Sequence, residues 1–229
     1  HRPNGSFMAM RPGGQQRIPR PADWQPGGLA PWHDADLSPL RSFGHVVERL
    51  SAHAPRAVIT EAAQQARPSA VLVTLHPGDD GVEVVLTKRA SHLKNHKGEI
   101  SFPGGRVEPD ESVREAALRE AVEEVSMPIN DVALVAELDH LHTIVSSSYI
   151  VPLVGILGYR PSLVPSANEV DRILHVPLHE LARPDTFSEE RWVTPSGNPS
   201  IFVYRLDDET IWGATARVLT QIIRLSVGV

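Results

Sequence analysis

Apolar positions recur in two rhythms along this chain of 229 residues. From Ser69 the text is strand-like: SAVLVTLH (69–76) is a short apolar run, HPGDDG supplies turn residues, and VEVVLTKR (82–89) completes a hairpin. Further strands are expected over 132–140 and 148–157. Pro152 in the second of these implies an edge or a bulge, because proline cannot donate to a ladder. A last strand reads at 201–206. Helical spacing appears at Leu40, Phe43, Val46, Val47 and Leu50, where Ser38-Pro39 reads as N-cap and first helical residue. It returns from Asp110, read as an N-cap, to Val125, with Pro128 stopping the helix. After the run 168–178 comes a short helix, and a final helix is expected from about Gly213 to Leu225. Strands and helices alternate, which predicts an α/β sandwich layered around a mixed β-sheet.

Composition sharpens the boundaries. Residues 1–40 hold seven prolines and five glycines, so 1–37 read as a Pro/Gly-rich, partly irregular arm ahead of one domain over 38–229. His1 to Ser6 look like a cloning remnant, with Met8 or Met10 as the native beginning and no signal peptide before it. Trp24 and Trp32 give the arm something to pack with. There is no cysteine, which excludes disulfides, thiolate catalysis and Cys-ligated zinc. The net charge of −6 argues against a nucleic-acid footprint. No apolar stretch approaches the ~20 residues that cross a bilayer. The expectation is a cytoplasmic protein with no nucleic-acid or membrane partner, and a homodimer left open.

The informative feature is an acidic ridge. On a helical wheel of 111–125, Ala117, Leu118, Ala121, Val122 and Val125 share one arc, and Glu120, Glu123 and Glu124 share another. Glu111 and Glu115 precede Arg114 and Arg119 at favourable spacing, whereas the three terminal acids read as lacking a counter-charge. They also lie where the helix dipole disfavours negative charge. A cation is therefore expected there, and hard carboxylate oxygens suit Mg²⁺ or Mn²⁺. A merely solvated acidic face is the plainer alternative.

The spacing decides between them. Gly105, Glu111, Arg119-Glu120, Glu123-Glu124 and the following Ser126-Met127 closely resemble the Nudix box, with every charged position and the first glycine in place. Ala121 stands where that family prefers a larger aliphatic residue, and Ser126 where it prefers glycine. If position 126 is left-handed, serine costs ~1–2 kcal/mol there. Upstream, VLTKRASHLKNHKGEISFPGG (85–105) resembles the signature of coenzyme A diphosphatases through Leu86, Thr87, Arg89, Ala90, Gly98, Phe102, Pro103, Gly104 and Gly105. Val85 and Lys94 replace a Leu and an Arg, and Glu99 replaces a common Gln. Residues 168–170 and 211–217 resemble the same subfamily, so the likeness covers roughly 69–225.

The resemblance implies a Nudix-type α/β/α sandwich and metal-dependent hydrolysis of a phosphoanhydride. It implies Glu120 and Glu124 as metal ligands, Glu123 as a further ligand or a holder of metal-bound water, and a Gly104 or Gly105 carbonyl as another donor. Glu120 and Glu169 are the candidates for general base, and Arg119 would orient the carboxylates through a salt bridge, with Glu111 as a partner. Arg89 and Lys94, with Lys88 and Lys97, would meet phosphates. With coenzyme A as substrate the products would be 3′,5′-ADP and 4′-phosphopantetheine. Nucleoside triphosphates, ADP-ribose and dinucleotides are the rival substrates, and a non-catalytic nucleotide-binding module is the third reading. His92 and His96 are spaced for zinc but read better as structural or phosphate-contacting. Ser146 to Ser148 lack a nucleophile elbow. Trp212 reads as core.

Overall fold

A computed structural model describes residues 9–93, 97–143, 146–194 and 197–229. The elements run β1 (Gln25–Pro26), α1 (Phe43–Ser51), α2 (Glu61–Gln64), β2 (Arg67–Gly78), β3 (Gly81–Arg89), β4 (Ile100–Ser101), β5 (Gly104–Arg106) and α3 (Val113–Val125). They continue as β6 (Ala133–Glu137), β7 (Leu141–Thr143), β8 (Ser148–Ile156), β9 (Val170–Pro177), α4 (Leu178–Leu181), β10 (Phe187–Arg191), β11 (Ser200–Arg205), β12 (Thr210–Trp212) and α5 (Gly213–Val227).

The main sheet is mixed, as expected. β2 and β3 form the hairpin, with Leu75 opposite Val84 and Gly78 opposite Gly81. β2 also runs parallel to β8, from Arg67 beside Ser148 to Leu75 beside Ile156. A parallel pair covered on both faces reads as continuous apolar text, which is why these segments show little alternation. Ala70 and Leu72 of β2 pack under α3 with Ala117, Ala121 and Val125. Val73 and Leu75 join the opposite core with Val46, Leu50, Leu219 and Ile223 of α1 and α5. The layers are therefore α3, sheet, then α1 and α5.

Several expectations change at the element ends. Ser38–Arg41 is a 3-10 turn, and α1 is capped by Ser42, whose side chain accepts from the His45 N–H. Asp110 is not the cap of α3: it sits at φ 65, and Ser112 caps the helix in a reciprocal box with Glu115. Val122 is exposed and Glu124 buried, so the apolar arc is rotated toward Glu124. β8 is a central strand rather than an edge. Pro152 fits because it falls where pairing passes from β6 to β7, and its carbonyl accepts from the Leu138 N–H at 2.9 Å.

A second sheet is antiparallel in the order β1-β10-β11-β12; of its strands only β11, Ser200–Arg205, is among the expected elements. The arm packs against it: Gln25 pairs with Arg191, and the buried Trp32 donates from Nε1 to the Ala182 carbonyl at 2.9 Å. Among the described residues no helix is long and apolar enough to cross a membrane.

Ser126 terminates α3 at φ 55, ψ 43, the left-handed conformation that favours glycine. Ser126→Gly is expected to stabilise the fold by ~1 kcal/mol, raising the thermal midpoint by roughly 2–4 °C for a chain this long. An unchanged or lower midpoint in thermal denaturation would contradict it.

Candidate active site

Two glycines bring α3 down onto the sheet. Val71 pairs with Gly104 and Ala70 with Gly105, laying β5 along the start of β2. A Cβ at Gly104 would collide with the Ala70 carbonyl and come within 2.7 Å of the Val71 Cα. A Cβ at Gly105 would overlap the carboxylate of Glu120. With no side chain at either place, the last two turns of α3 rest their acids on bare backbone. The Gly104 N–H donates to Glu124 Oε2 at 3.3 Å.

Glu124 is 6% exposed. Burial, then the charge of Glu120, pushes its carboxyl pKa up to about 8, with Glu169 adding to the rise and Arg89 opposing it. Glu120 is also raised, by burial first, against the counter-charge of Arg119. Glu169 raises both, so the structure brings these three acids into one electrostatic neighbourhood. Its backbone is fixed from several sides. The Glu169 N–H donates to the Ser166 carbonyl at 3.0 Å, and its own carbonyl accepts from the Ala90 N–H at 2.8 Å. The Ser166 N–H in turn donates to the Glu124 carbonyl at 2.8 Å, which satisfies an orphan carbonyl at the end of α3.

Arg119 corrects the expectation that the ridge lacks a counter-charge. Its guanidinium reaches Glu120 at 3.0 Å and Glu123 at 3.2 Å, and is held by Glu111 at 2.8 Å and by the Arg106 carbonyl at 3.1 Å. Glu111 takes Arg119, the partner that the resemblance implies, rather than Arg114, the partner that helical spacing alone suggests, while Glu115 is occupied by the Ser112 cap. Arg119 therefore sits as a clamp over the exposed edge of the ridge. Glu124 is buried below it, Glu120 is half-buried, and Glu169 approaches from an exposed position.

Among the described residues these carboxylates do not form a group with three oxygens within 4.8 Å of one another. Mg²⁺ keeps several waters and is bound by one or two carboxylates plus substrate phosphate. Glu124, raised by burial first and then by Glu120, and lying against the glycine strand, fits such an ion.

The other expected site residues divide. Arg89 ends β3, at a register shift against β9, and its charge acts on Glu124. Lys88 is spent elsewhere, paired at 2.8 Å with Glu209, which is 1% exposed. Lys97 is exposed. Lys94 and His96 lie outside the described residues. His92 bonds through Nε2 to the Asn168 carbonyl at 3.1 Å, a structural contact. Ser146 bonds to Thr143 in a turn. Trp212 is half-buried and stacked on Trp192 at 6.3 Å, not core. Sequence reasoning misses a second cluster, His76, Glu83 and His175. Its signal is faint: two histidines and a glutamate in strands that otherwise read as apolar.

The NUDIX domain family model matches residues 66–200. The chain is 36% identical over 165 residues to "Nudix hydrolase 22, chloroplastic" of Arabidopsis thaliana, covering 68% of this chain and 54% of that protein. It thus spans about half the length of that relative. It is 32% identical over 141 residues to "Uncharacterized Nudix hydrolase NudL" of Yersinia pestis (strain Pestoides F), covering 61% of this chain and 70% of that one. Among solved structures, DR0079 from Deinococcus radiodurans superposes with a TM-score of 0.47 at 17% identity, covering 68% of this chain and 82% of that one.

Proposed function

Because the chain belongs to the Nudix family, we propose that it is a metal-dependent pyrophosphohydrolase acting on a nucleoside-diphosphate-linked substrate, coenzyme A or an acyl-coenzyme A. The observation that carries the reading is the convergence of Glu120, Glu124 and Glu169 beside Gly104-Gly105, with Arg89 acting on the same site. Arg89, Gly104 and Gly105 all belong to the signature over 85–105, so the segment that resembles coenzyme A diphosphatases borders the acidic ridge.

Glu120 and Glu124 would hold Mg²⁺ or Mn²⁺, with Glu123 and a Gly104 or Gly105 carbonyl as further donors. When bound, the ion neutralises diphosphate charge and lowers the pKa of coordinated water. The chain's own residues do the rest. Arg119, anchored on Glu111, fixes the side chains of Glu120 and Glu123. Glu169 or Glu120 would accept the proton of the attacking water, both being acids that act electrostatically on Glu124. Arg89, Lys97 and Lys94 would supply the positive charge that neutralises the phosphates. Lys94 and Glu99 give weight to a second reading, nucleoside triphosphates, ADP-ribose or dinucleotides, because lysine lacks the planar fork of arginine and an added carboxylate repels phosphate, so both depart from the coenzyme A signature.

A hydrolysis panel tests this with Mg²⁺ and Mn²⁺ against coenzyme A, acyl-coenzyme A, ADP-ribose, NADH and nucleoside triphosphates. Coenzyme A or its acyl form should be cleaved fastest, to 3′,5′-ADP and the matching phosphopantetheine. Turnover of triphosphates with none of coenzyme A would remove the substrate assignment.

A further inference from the structure

At the other end of the sheet, three adjacent strands place two imidazoles and a carboxylate on one face. His76 of β2 stands directly opposite Glu83 of β3. His175 of β9 lies two positions from Pro177, the partner of Glu83, and so shares that face. His76 is fully buried and Glu83 nearly so. One ligand atom from each falls within 4.8 Å of the other two, the only such group among the described residues. His76 is five residues along β2 from Val71, about 17 Å at strand rise, so this cluster is separate from the carboxylate ridge.

The tautomers follow from the hydrogen bonds. His76 Nδ1 lies 2.9 Å from the Pro77 carbonyl, an acceptor, so it carries the proton. Its Nε2 then offers a lone pair to the cluster. A backbone carbonyl fixing the far nitrogen is the arrangement that orients metal-bound histidines. His175 Nδ1 lies 2.7 Å from His76 Nε2 and donates to it. Burial holds both imidazoles neutral, His175 down to about 4. Glu83 Oε2 is 3.8 Å from His76 Nε2 and is paired with Arg160.

These features are ordinary in isolation. Together they describe two neutral nitrogens and one anion around a point now served by a guanidinium. We propose that His76, His175 and Glu83 form a second metal site, taking Zn²⁺ or a similar transition ion, with a water as fourth ligand. Zn–N bonds of ~2.0–2.1 Å put tetrahedral donors about 3.3 Å apart. The observed separations of 2.7 and 3.8 Å bracket that value, so small side-chain shifts suffice. His175 loses its Nδ1 proton and takes one on Nε2. Arg160, with half its side chain exposed, swings away and frees Glu83. An open groove of about 400 Å³ bordered by Arg160, Arg172 and His175 gives the ion and its water a way in. Imidazole donors select against Mg²⁺, so the two sites differ in chemistry as well as place. A bound ion would tie the β2–β3 hairpin to β9.

Co²⁺ titration of the full chain tests this in a Glu124→Gln background, which removes the carboxylate ridge as a competitor. One equivalent should bind with the intense visible absorption of a four-coordinate site. His175→Gln should weaken that binding by one to two orders of magnitude. Arg160→Ala should tighten it severalfold, a gain that a misfolded protein would not show. Equal affinity in all three proteins, or only the faint absorption of six-coordinate Co²⁺, overturns the site. In an otherwise unaltered chain His175→Gln should leave Mg²⁺-dependent hydrolysis intact, so this proposal and the catalytic one fail separately.

Discussion

Glu124→Gln should reduce hydrolysis by about three orders of magnitude or more while leaving the fold intact. The side chain keeps its shape, and an amide can still accept from the Gly104 N–H. What disappears is a charge that the buried site tolerates only when a cation is present. The same substitution should stabilise the metal-free protein at alkaline pH. The folded-state pKa of Glu124 is raised to about 8, above its unfolded value near 4.5, by burial first and then by Glu120. The folded state therefore binds the proton more tightly than the unfolded state. That contribution is fully present below pH 4.5 and is lost as pH rises through 8. In EDTA the wild type should therefore lose stability between pH 5 and 9, and the Gln variant should lose less. Added Mg²⁺ should restore the wild type alone. Thermal melts at pH 5 and pH 9, with and without metal, measure this. Identical pH profiles for the two proteins would show that Glu124 is not the buried acid described.

Gly105→Ala should cost about 10²-fold or more in turnover with little loss of stability. The new methyl would overlap the Glu120 carboxylate, the tip of a flexible side chain that is able to move aside. Moving it disconnects Glu120 from Arg119, and displacement of a catalytic group by about an ångström has effects of this size. Gly104→Ala should behave oppositely. Its methyl would strike the Ala70 carbonyl and the Val71 Cα, backbone that cannot yield, so folding should suffer first. Comparing kcat and thermal midpoint for the two variants separates positioning from structure. Full activity in Gly105→Ala would show that Glu120 does not need its observed place.

Much of this is legible in the chain itself, and the reasons are specific. The hairpin of β2 and β3 and helix α3 carry strong periodic text, and the acidic ridge lies within one helix, so spacing alone places it. Arg119 divides: its i+4 relation to Glu123 is visible in the spacing, whereas its pairing with Glu111 is implied only by the family resemblance, since helical spacing alone gives Glu111 to Arg114 and Arg119 to Glu115. Glu169 reaches the ridge only because the loop after β8 caps α3, a tertiary event. β10 escapes notice since FSEER buries a glutamate, Glu190, against Arg20 from the arm, and buried charge does not look like a strand. β12 is three residues long. The histidine cluster needs cross-strand register, which no local pattern encodes.

Mn²⁺ binding followed by electron paramagnetic resonance, on the wild type and on Glu124→Gln, tests the central claim most directly. The free-ion signal should fall as wild-type protein is added, and should stay nearly undiminished with the variant at the same concentration. Equal uptake by both proteins would mean that the acids of α3 do not hold the ion.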